Sequence, residues 1–424
     1  MAATLVTGGS IRVEMDTGFG DGFTLNDTQQ GVLDNTTYVL DGVDQFAEIT
    51  DLVQTLQIVR GKKEVLDSIQ PGRMTVIATD PDREMDPLNE ASIYYDETDD
   101  TPGLSPLRQI RVSLDYGAGF EFVYKGRVVN FTYDYGGPGD KARVVITCAD
   151  DLFLLANTQL SAFTPSAQLS SARLSTVLDR SEVSYPAGTR AISTGTTTLG
   201  AYAVTEGTSV LEYLRQIDAA ERGRIFVSAD GDLTFQPRIG NTLSGPTVEF
   251  ADDNAAGTTK FETAFLAFST DAVVNRATVQ RTGGTAQTDS DATSIALYQI
   301  QAVSITNSLL STDAQALTLA GYLLAPDPEP RFSGVEVSFG ALTAAQKQDL
   351  ATLEIGDTVS VERNFTSGSP ATVLQEQQVE GLEDRIDFRT GHRRTVYTSP
   401  TTLVYALVLD SATFGTLDGS NVLT

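Results

Sequence analysis

Alternating hydrophobic and polar residues along much of the chain predict short β-strands separated by turns. The clearest alternation is in Ser10–Met15, where every second residue is apolar. Further runs of this kind predict strands at Gln54–Val59, Met74–Ala78, Gln109–Leu114, Phe120–Tyr133 and Lys141–Cys148. Gly126 interrupts one of these runs and predicts a tight hairpin or a bulge at which the sheet bends. Strands at this density are typical of a sandwich or a small barrel.

From about residue 157 the apolar positions follow helical spacing instead. Asp150-Asp151 is placed to cap a short apolar turn, and Ser170–Asp179 predicts a short helix. A longer helix is predicted to start at Ser209, because Ser209-x-x-Glu212 fits a capping box and apolar residues follow at helical spacing. Gly223 is placed to end this helix in a left-handed conformation. The two runs that follow predict a β-hairpin, Arg224–Val227 with Leu233–Gln236.

Strand patterns return in the last third of the chain. They predict strands at Phe261–Phe268, Val273–Arg281, Gly334–Phe339, Gly356–Val361, Gln378–Phe388 and His392–Tyr397. Thr312-x-x-Gln315 predicts a second capped helix, which Pro326 should end, and Thr343–Leu353 predicts a short helix or turn. The order of elements coarsely repeats the first strand-rich zone, with Gly381 in the role of Gly126, and this indicates an internal duplication. The pattern as a whole predicts a mainly β protein with a few helices.

Composition and charge narrow the classes of function. The chain has 424 residues, so more than one domain is expected, and 41% hydrophobic residues are enough for packed cores. A net charge of −27 argues against a surface that binds phosphate groups; it serves either solubility or the repulsion of nucleic acid. The first residues lack the pattern of a secretion signal, and no apolar run is long enough to span a bilayer. We therefore expect that the protein does not insert into a membrane. We also expect it to be synthesised in a cytoplasm-like compartment.

A search for catalytic and metal-binding patterns gives no candidate. Cys148 is the only cysteine and has a buried-strand context, so an intrachain disulfide and a multi-cysteine zinc site are excluded. His392 is the only histidine; it excludes the two-histidine zinc motif and is predicted to be a surface residue of a strand. No phosphate-binding loop is present, and Met85 stands where an EF-hand starting at Asp80 needs glycine. A two-carboxylate glycosidase stays open, although the absence of tryptophan argues against a sugar cleft. We predict no enzyme, and no catalytic, cofactor-binding or metal-binding residues.

Arg60-Gly61-Lys62-Lys63 is the only compact basic cluster in the first hundred residues. One interpretation is a solvated hairpin tip. The other is a contact loop that docks against an acidic neighbour, which would matter in a chain with this much negative charge.

The stretch Gln70–Tyr95 carries the most specific pattern in the chain. It runs from Pro71-Gly72 through a strand into a loop stiffened by Pro81 and Pro87. Together with Arg60-Gly61, it resembles a signature of minor tail proteins of long-tailed phages. That signature reads roughly Asn-x-Asp-Gly-Arg-aromatic-Asp-Pro-x-Asn. Here Thr79 replaces the asparagine, Met85 replaces the aromatic residue, and the glycine is missing.

Other segments fit the same family in the same order along the chain. They are Lys125–Val128, Thr147–Leu152, Leu211–Gln236, Val274–Val279, Thr293–Tyr298, Leu409-Asp410 and Gly415–Asp418. The resemblance extends over nearly the whole length. It implies that the aspartates of the signature turn bind turn amides rather than metal.

The resemblance to tail-tip (baseplate) hub proteins implies two tube-like β-barrel domains and a small α+β middle domain. We place the first barrel at residues 1–155, the helix–hairpin domain at 156–258, the second barrel at 259–400 and a C-terminal tail at 401–424. The implied function is a structural virion protein at the tail tip, assembled in the host cytoplasm without a cofactor. It would be a trimeric homo-oligomer whose ring adapts the tail tube to the tip and lines the DNA channel.

The partners implied are distal tail or tail tube proteins, the tape measure protein, and tail fibre or receptor-binding proteins. DNA would be met only in transit through the lumen. The nearest alternative is a hexameric distal tail ring protein. Alternatives of another class are a carbohydrate-binding or cell-wall-degrading tip protein and a receptor-binding module.

Overall fold

The computed structural model describes residues 2–19, 32, 45–63, 68–96, 100–137, 141–238, 246–253, 257–269, 273–325 and 328–400. Within these residues there are 27 strands and six α-helices, which confirms a mainly β fold with a few helices. None of the helices in this part of the chain is long and apolar enough to cross a membrane. The predicted tail at 401–424 and the predicted helix stop at Pro326 lie outside the described residues.

The predicted strands of the first zone are present. The strands are β1 (Ala3–Thr4), β2 (Ser10–Asp16), β3 (Phe46–Glu48), β4 (Val53–Gly61), β5 (Arg73–Asp80), β6 (Tyr95–Asp96), β7 (Thr101–Pro102), β8 (Gln109–Asp115), β9 (Glu121–Asp134) and β10 (Ala142–Ala149). A 3₁₀ turn at Thr50–Leu52 precedes β4.

Gly126 does not form the predicted hairpin, because β9 runs through it as one strand of 14 residues. Bulges lie on either side of it instead, at Val123 against β8 and at Val129 against β10. Glycine is needed at 126 because a Cβ there would lie 2.5 Å from the Tyr124 hydroxyl and 2.6 Å from the Ala149 carbonyl oxygen.

The middle of the chain contains three helices and short strands. They are α1 (Asp151–Asn157), β11 (Gln159–Leu160), β12 (Gln168–Leu169), α2 (Ser170–Leu178), β13 (Arg190–Ile192), β14 (Thr198–Leu199), β15 (Thr208–Ser209), α3 (Val210–Glu221), β16 (Arg224–Val227) and β17 (Leu233–Gln236). A 3₁₀ turn at Ala187–Thr189 precedes β13. The predicted β16–β17 hairpin is confirmed, and Asp150 caps α1 by accepting from the Leu152 amide.

The predicted ends of α3 are wrong in detail. Ser209 makes no capping bond to the helix; its hydroxyl donates to the Ala156 carbonyl oxygen, at the end of α1. At the other end, Arg222 takes the left-handed conformation, with φ at 62°. Gly223 is required for another reason: a Cβ there would collide with the Gln236 carbonyl oxygen of the hairpin.

The last third of the chain contains the remaining elements. They are β18 (Val248–Ala251), β19 (Thr259–Lys260), β20 (Thr263–Ala267), β21 (Arg276–Arg281), β22 (Gln287–Ser290), α4 (Ala292–Tyr298), β23 (Ala302–Ser308), α5 (Asp313–Leu323), β24 (Arg331–Ser338), α6 (Ala344–Thr352), β25 (Thr358–Asn364), β26 (Thr372–Asp387) and β27 (Gly391–Pro400). A 3₁₀ turn at Phe339–Ala341 follows β24. The predicted capping box of Thr312 and Gln315 is confirmed at the start of α5.

Two groups of five antiparallel strands have the same strand order. The first unit is ordered β4-β5-β10-β9-β8, and the second unit β20-β24-β27-β26-β25. When the strands of each unit are numbered along the chain, both orders read 1-2-5-4-3. The duplication predicted from the sequence is therefore visible in the topology.

The two units also agree in detail. Strand 4 carries a one-residue bulge against strand 5 in both, at Val129 and at Glu380. Leu107 and Gly356, just before strand 3, both have left-handed backbones and donate to the carbonyl oxygens of Val128 and Val379, respectively. Gly126 and Gly381 are not equivalent, because Gly381 follows the bulge directly and so corresponds to Asn130.

The first strand of the first unit pairs with the fourth strand of the second unit. The pairing of β4 with β26 is antiparallel, from Gly61 opposite Gly381 to Thr55 opposite Asp387. It connects the two units into one 15-stranded sheet, and the buried apolar side chains of both belong to one core. No closed barrel is detected among the described residues, so the two tube-like barrels stay a prediction.

A second core lies outside the large sheet. It combines apolar residues between Leu152 and Phe235, largely from α1, α2, α3 and the β16–β17 hairpin, with residues between Val274 and Leu323. Among the latter, Ala316, Leu319 and Ala320 of α5 pack against the neighbouring strand β21. The domain boundaries given above stay a prediction.

Candidate functional site

The contact between β4 and β26, hereafter the junction, depends on two glycines that face each other. Gly61 has φ at 80°, and a Cβ on it would collide with the Glu380 carbonyl oxygen. A Cβ on Gly381 would lie 2.5 Å from the carbonyl oxygen of Lys62 and 2.9 Å from that of Arg60. The bulge at Glu380 and the missing side chains let the two backbones come this close.

The basic cluster at residues 60–63 lies at the junction. Arg60 binds Glu354 at 2.7 Å, and its side chain is only 3% exposed. Lys62 pairs with Glu380 at 3.4 Å and Lys63 with Glu383 at 2.9 Å. The prediction of a solvated hairpin tip is therefore wrong. The alternative, docking against an acidic neighbour, is what the structure shows, and that neighbour belongs to the same chain.

Two buried glutamates of β26, Glu380 and Glu383, bind the two lysines of this cluster. Glu380 also accepts from Arg224 at 2.8 Å and from the Ser399 hydroxyl at 2.6 Å. Glu383 accepts from Gln57, Arg385 and Tyr397 in addition to Lys63. Burial by itself would raise the pKa of Glu383, but these hydrogen bonds bring it to about 2. The junction therefore contains ionised carboxylates whose charges are matched within the chain.

A second buried polar cluster lies next to the junction, on β26 and β27. Asp384 accepts from Arg394 through both carboxylate oxygens, at 2.7 and 2.9 Å. Arg394 also donates to the carbonyl oxygens of Leu350 and Ala351 in α6. His392 lies 2.7 Å from Asp384 through Nε2 and 2.9 Å from the Tyr116 hydroxyl through Nδ1. All four side chains of this cluster are buried, so the prediction that His392 is a surface residue is wrong.

The environment of His392 fixes its tautomer. Asp384 is a carboxylate and can only accept, so Nε2 carries the proton and Nδ1 accepts from Tyr116. The imidazole also stacks on Phe339, with ring centroids 3.7 Å apart. Tyrosine, histidine and aspartate in a row resemble an acid–base relay. However, they lie inside the core of the large sheet, where a substrate would reach them only if the core opened.

The buried imidazole gives the protein a pH-dependent stability. Burial lowers the pKa of His392, and the bond to Asp384 only partly offsets this. Below pH 6.5 the unfolded chain therefore binds a proton that the folded chain refuses, and the free energy of unfolding falls as the pH falls. We expect a loss of about 1.4 kcal/mol per pH unit below 6.5 until the folded pKa is reached.

The check is urea denaturation at pH 7.5, 6.5 and 5.5 of the wild type and of His392→Gln. The chain has one histidine, so the difference between the two proteins isolates its titration. As the pH falls, the free energy of unfolding of the wild type should decrease relative to that of His392→Gln. A gap that stays constant from pH 7.5 to 5.5 would contradict the buried neutral imidazole.

The signature loop after β5 is held by its own aspartates. Asp80 accepts from the amides of Glu84 and Met85 at 2.9 and 2.8 Å, and Asp86 accepts from the amide of Leu88 at 3.0 Å. This confirms that the aspartates satisfy turn amides. Arg83 takes a left-handed conformation with φ at 60° and binds Asp86, which shows how the turn forms without the family's glycine.

The aspartates also tie the loop to the end of β9. The Tyr133 hydroxyl donates to Asp80 at 2.7 Å and the Tyr135 hydroxyl to Asp86 at 3.1 Å. The loop is therefore packed on the sheet. No group of three or more metal-ligating side chains is found in the part of the chain that the structure describes.

One cavity of about 270 Å³ lies between α3 and α5 at the second core. Arg238 lines it with its guanidinium 3.5 Å from the Tyr322 ring centre. Glu221 also lines it, but its carboxylate accepts from Ser170, Thr196 and Thr197. The cavity has room for a small polar group. No sequence motif predicted this cavity.

Comparison with known proteins identifies the fold. No protein-family model matches the chain, and no curated protein is similar to it in sequence. The structure is similar to that of the tail protein from Neisseria meningitidis MC58. The TM-score is 0.56 and the identity 11%, over 83% of this chain and 93% of that one.

A second structure agrees with the first. The 43 kDa tail protein of prophage MuSo2 from Shewanella oneidensis gives a TM-score of 0.51 at 13% identity, over 84% of this chain and 95% of that one. The chain thus shares the fold of phage tail proteins. This fold agrees with the one expected from the resemblance of the signature loop.

Proposed function

We propose that the protein is a structural component of a phage tail and forms the hub ring at the tail tip. The fold shared with two tail proteins over more than four fifths of the chain supports the tail role. The observation that carries the hub assignment is the pair of five-stranded units with one strand order, joined side by side in a continuous sheet. Each unit would contribute one tube-like β-barrel of the assembled ring.

A chain with two similar units suits a place where symmetry changes. Three copies present six similar units, so one face of the ring can match a sixfold tail tube while the chain itself repeats three times. In this role the ring contacts distal tail or tail tube proteins and the tape measure protein on one side. It anchors tail fibre or receptor-binding proteins on the other, and the protein resides at the tail tip of the virion.

The charge of the chain fits a channel through which DNA slides. At a net charge of −27, an acidic lumen would repel phosphates rather than hold them, so DNA would pass without binding. The basic residues at the junction do not oppose this, because Arg60, Lys62 and Lys63 are paired with carboxylates of the same chain. We propose no catalytic step and no cofactor.

The ring predicts a defined number of copies. Sedimentation equilibrium of the purified protein at increasing concentration should give the mass of three chains, and electron microscopy should show threefold rings. A stable monomer at every concentration would contradict the hub. Rings of six chains would favour the distal tail ring, and turnover of cell-wall material by the purified protein would overturn the non-enzymatic assignment.

A further inference from the structure

Two strand edges of the large sheet are singled out by the duplication, and neither has a ladder partner in the described part of the chain. The first is the outer edge of β20, which pairs only with β24. Its residues are uncommonly apolar for an exposed edge: Phe265, Leu266 and the adjacent Phe268 are 43%, 61% and 67% exposed. The second is the edge of β9 from Asn130 to Asp134, beyond the point where β8 ends its pairing.

These two edges correspond to the two strands that meet at the junction. There, strand 1 of the first unit (β4) pairs with strand 4 of the second unit (β26), beyond the end of strand 3. The strand equivalent to β4 in the second unit is β20, and the strand equivalent to β26 in the first unit is β9. The chain therefore contains a second strand equivalent to each partner of the junction, and each of these strands has an unpaired edge.

The two open edges do not pair with each other in this structure. Along the sheet, six strands separate β20 from β9, in the order β24, β27, β26, β4, β5 and β10. At the usual spacing of strands the two edges lie roughly 34 Å apart along the sheet. A second copy can supply the missing partner of each edge.

We propose that β20 of one copy pairs antiparallel with residues 130–134 of β9 in a second copy, repeating the junction between chains. The inference rests on the proposed ring and names the surfaces that close it. A head-to-tail contact of this kind uses a different edge on each partner, so it closes into a ring if the rotation per copy permits. It also covers an apolar strand edge that would otherwise promote aggregation.

The duplication also gives the register. At the junction Gln57 is opposite Arg385, the fifth residue after the bulge at Glu380. The fifth residue after the equivalent bulge at Val129 is Asp134. The strand pairings define rows of residues that lie opposite one another across each unit. In the first unit, Gln57 shares a row with Thr75, Thr147 and Asn130. In the second unit, the equivalent row contains Phe265, Gly334, Tyr397 and Gly381. Phe265 is therefore expected opposite Asp134.

This register brings apolar side chains together. Leu266 comes opposite Tyr133, and Phe268 opposite Phe131, so three of the four exposed or half-exposed groups are aromatic. Residues 263–269 carry no charge, which matters because two copies with a net charge of −27 repel each other elsewhere. Apart from Asp134, the contact between chains would thus carry no charge, whereas the junction within the chain is held by ion pairs.

Single-cysteine variants test the contact directly. The only native cysteine, Cys148, is buried, so Phe265→Cys and Asp134→Cys each add one reactive thiol. With a short bismaleimide, a mixture of the two variants should give a product of two chains, and each variant alone should not. A mixture of Leu88→Cys with Asp134→Cys is the control, because Leu88 is 75% exposed but lies on the signature loop.

A charge at the edge should prevent assembly without unfolding the chain. Leu266→Lys with Phe268→Lys places two cations on exposed positions, and we expect the oligomer to be lost while the circular dichroism spectrum and the unfolding midpoint are retained. Leu297→Lys changes an equally exposed leucine on α4 and should leave the oligomer intact.

The outcomes separate this inference from the hub itself. A ring of three chains that gives no cross-linked product between residues 265 and 134 would overturn the strand pairing but not the ring. A ring that persists in the variant with Leu266→Lys and Phe268→Lys would have the same meaning. The product in open chains of increasing length would support the pairing and overturn the closed hub. A monomer without product would overturn both.

Discussion

Replacing Asp384 with alanine is expected to lower the free energy of unfolding by about 3–5 kcal/mol. Asp384 is fully buried between Arg394 and His392, and among the described residues no other carboxylate binds Arg394. Burial alone would raise the pKa of Asp384, but Arg394 and His392 hold it below its usual range, so it is ionised at neutral pH. Without it, the guanidinium stays in the core with only the carbonyl oxygens of α6 as partners.

Urea denaturation followed by circular dichroism at pH 7.5 measures this loss. Asp349→Ala is the matched control, because Asp349 is exposed on α6, and it should stay within about 0.5 kcal/mol of the wild type. Asp384→Leu combined with Arg394→Met removes both charges and should recover much of the stability. A loss below about 1 kcal/mol for Asp384→Ala would mean that Arg394 is not buried as an ion.

Replacing Gly381 with alanine should weaken the junction by about 2 kcal/mol. The added Cβ would meet the carbonyl oxygens of Arg60 in β4 and of Lys62 just after it, which are backbone atoms and cannot rotate away. The two strands must separate locally, and hydrogen bonds between β4 and β26 should lengthen or break. The effect should therefore be concentrated at the junction and be small within each unit.

Hydrogen exchange resolved by peptide tests this localisation. Amides of β4 and of the second half of β26 should exchange faster in Gly381→Ala, whereas those of β21 and β22, which lie in another sheet and pair with neither strand of the junction, should not change. Gly188→Ala is the control, since nothing lies within 4 Å of a Cβ at Gly188. Unchanged exchange in β4 would show that the two units do not depend on this close approach.

Local patterns predicted the strands and helices well because each element carries its own periodicity. The β16–β17 hairpin and the Thr312 capping box are local in this sense, and both are confirmed. The predicted cap at Ser209 is wrong although its motif is the same. The Ser209 hydroxyl donates to a carbonyl oxygen at the end of α1, more than 50 residues away. A capping motif competes with tertiary partners that sequence spacing does not show.

The junction could not be predicted, because it joins residues more than 300 positions apart; Gln57 and Glu383 are separated by 326. The sequence around His392, which was wrongly predicted to be exposed, did contain a signal for burial. His392 is in phase with Arg394 and Val396 along β27, and the side chain of Val396 is fully buried. An alternation that contains one apolar residue and two polar ones was interpreted as exposed, whereas the polar residues form a buried cluster with Asp384.

Joining two units in one chain also changes how a ring would assemble. The β4–β26 contact forms during folding, and its yield is independent of protein concentration because both strands are tethered. A ring of six units built from three chains then needs two encounters in solution, whereas six separate units need five, because the last contact closes within the complex. Each encounter costs several kcal/mol of translational and rotational freedom, and the covalent links remove three of these five losses. It would let rings form at concentrations too low for single units to associate.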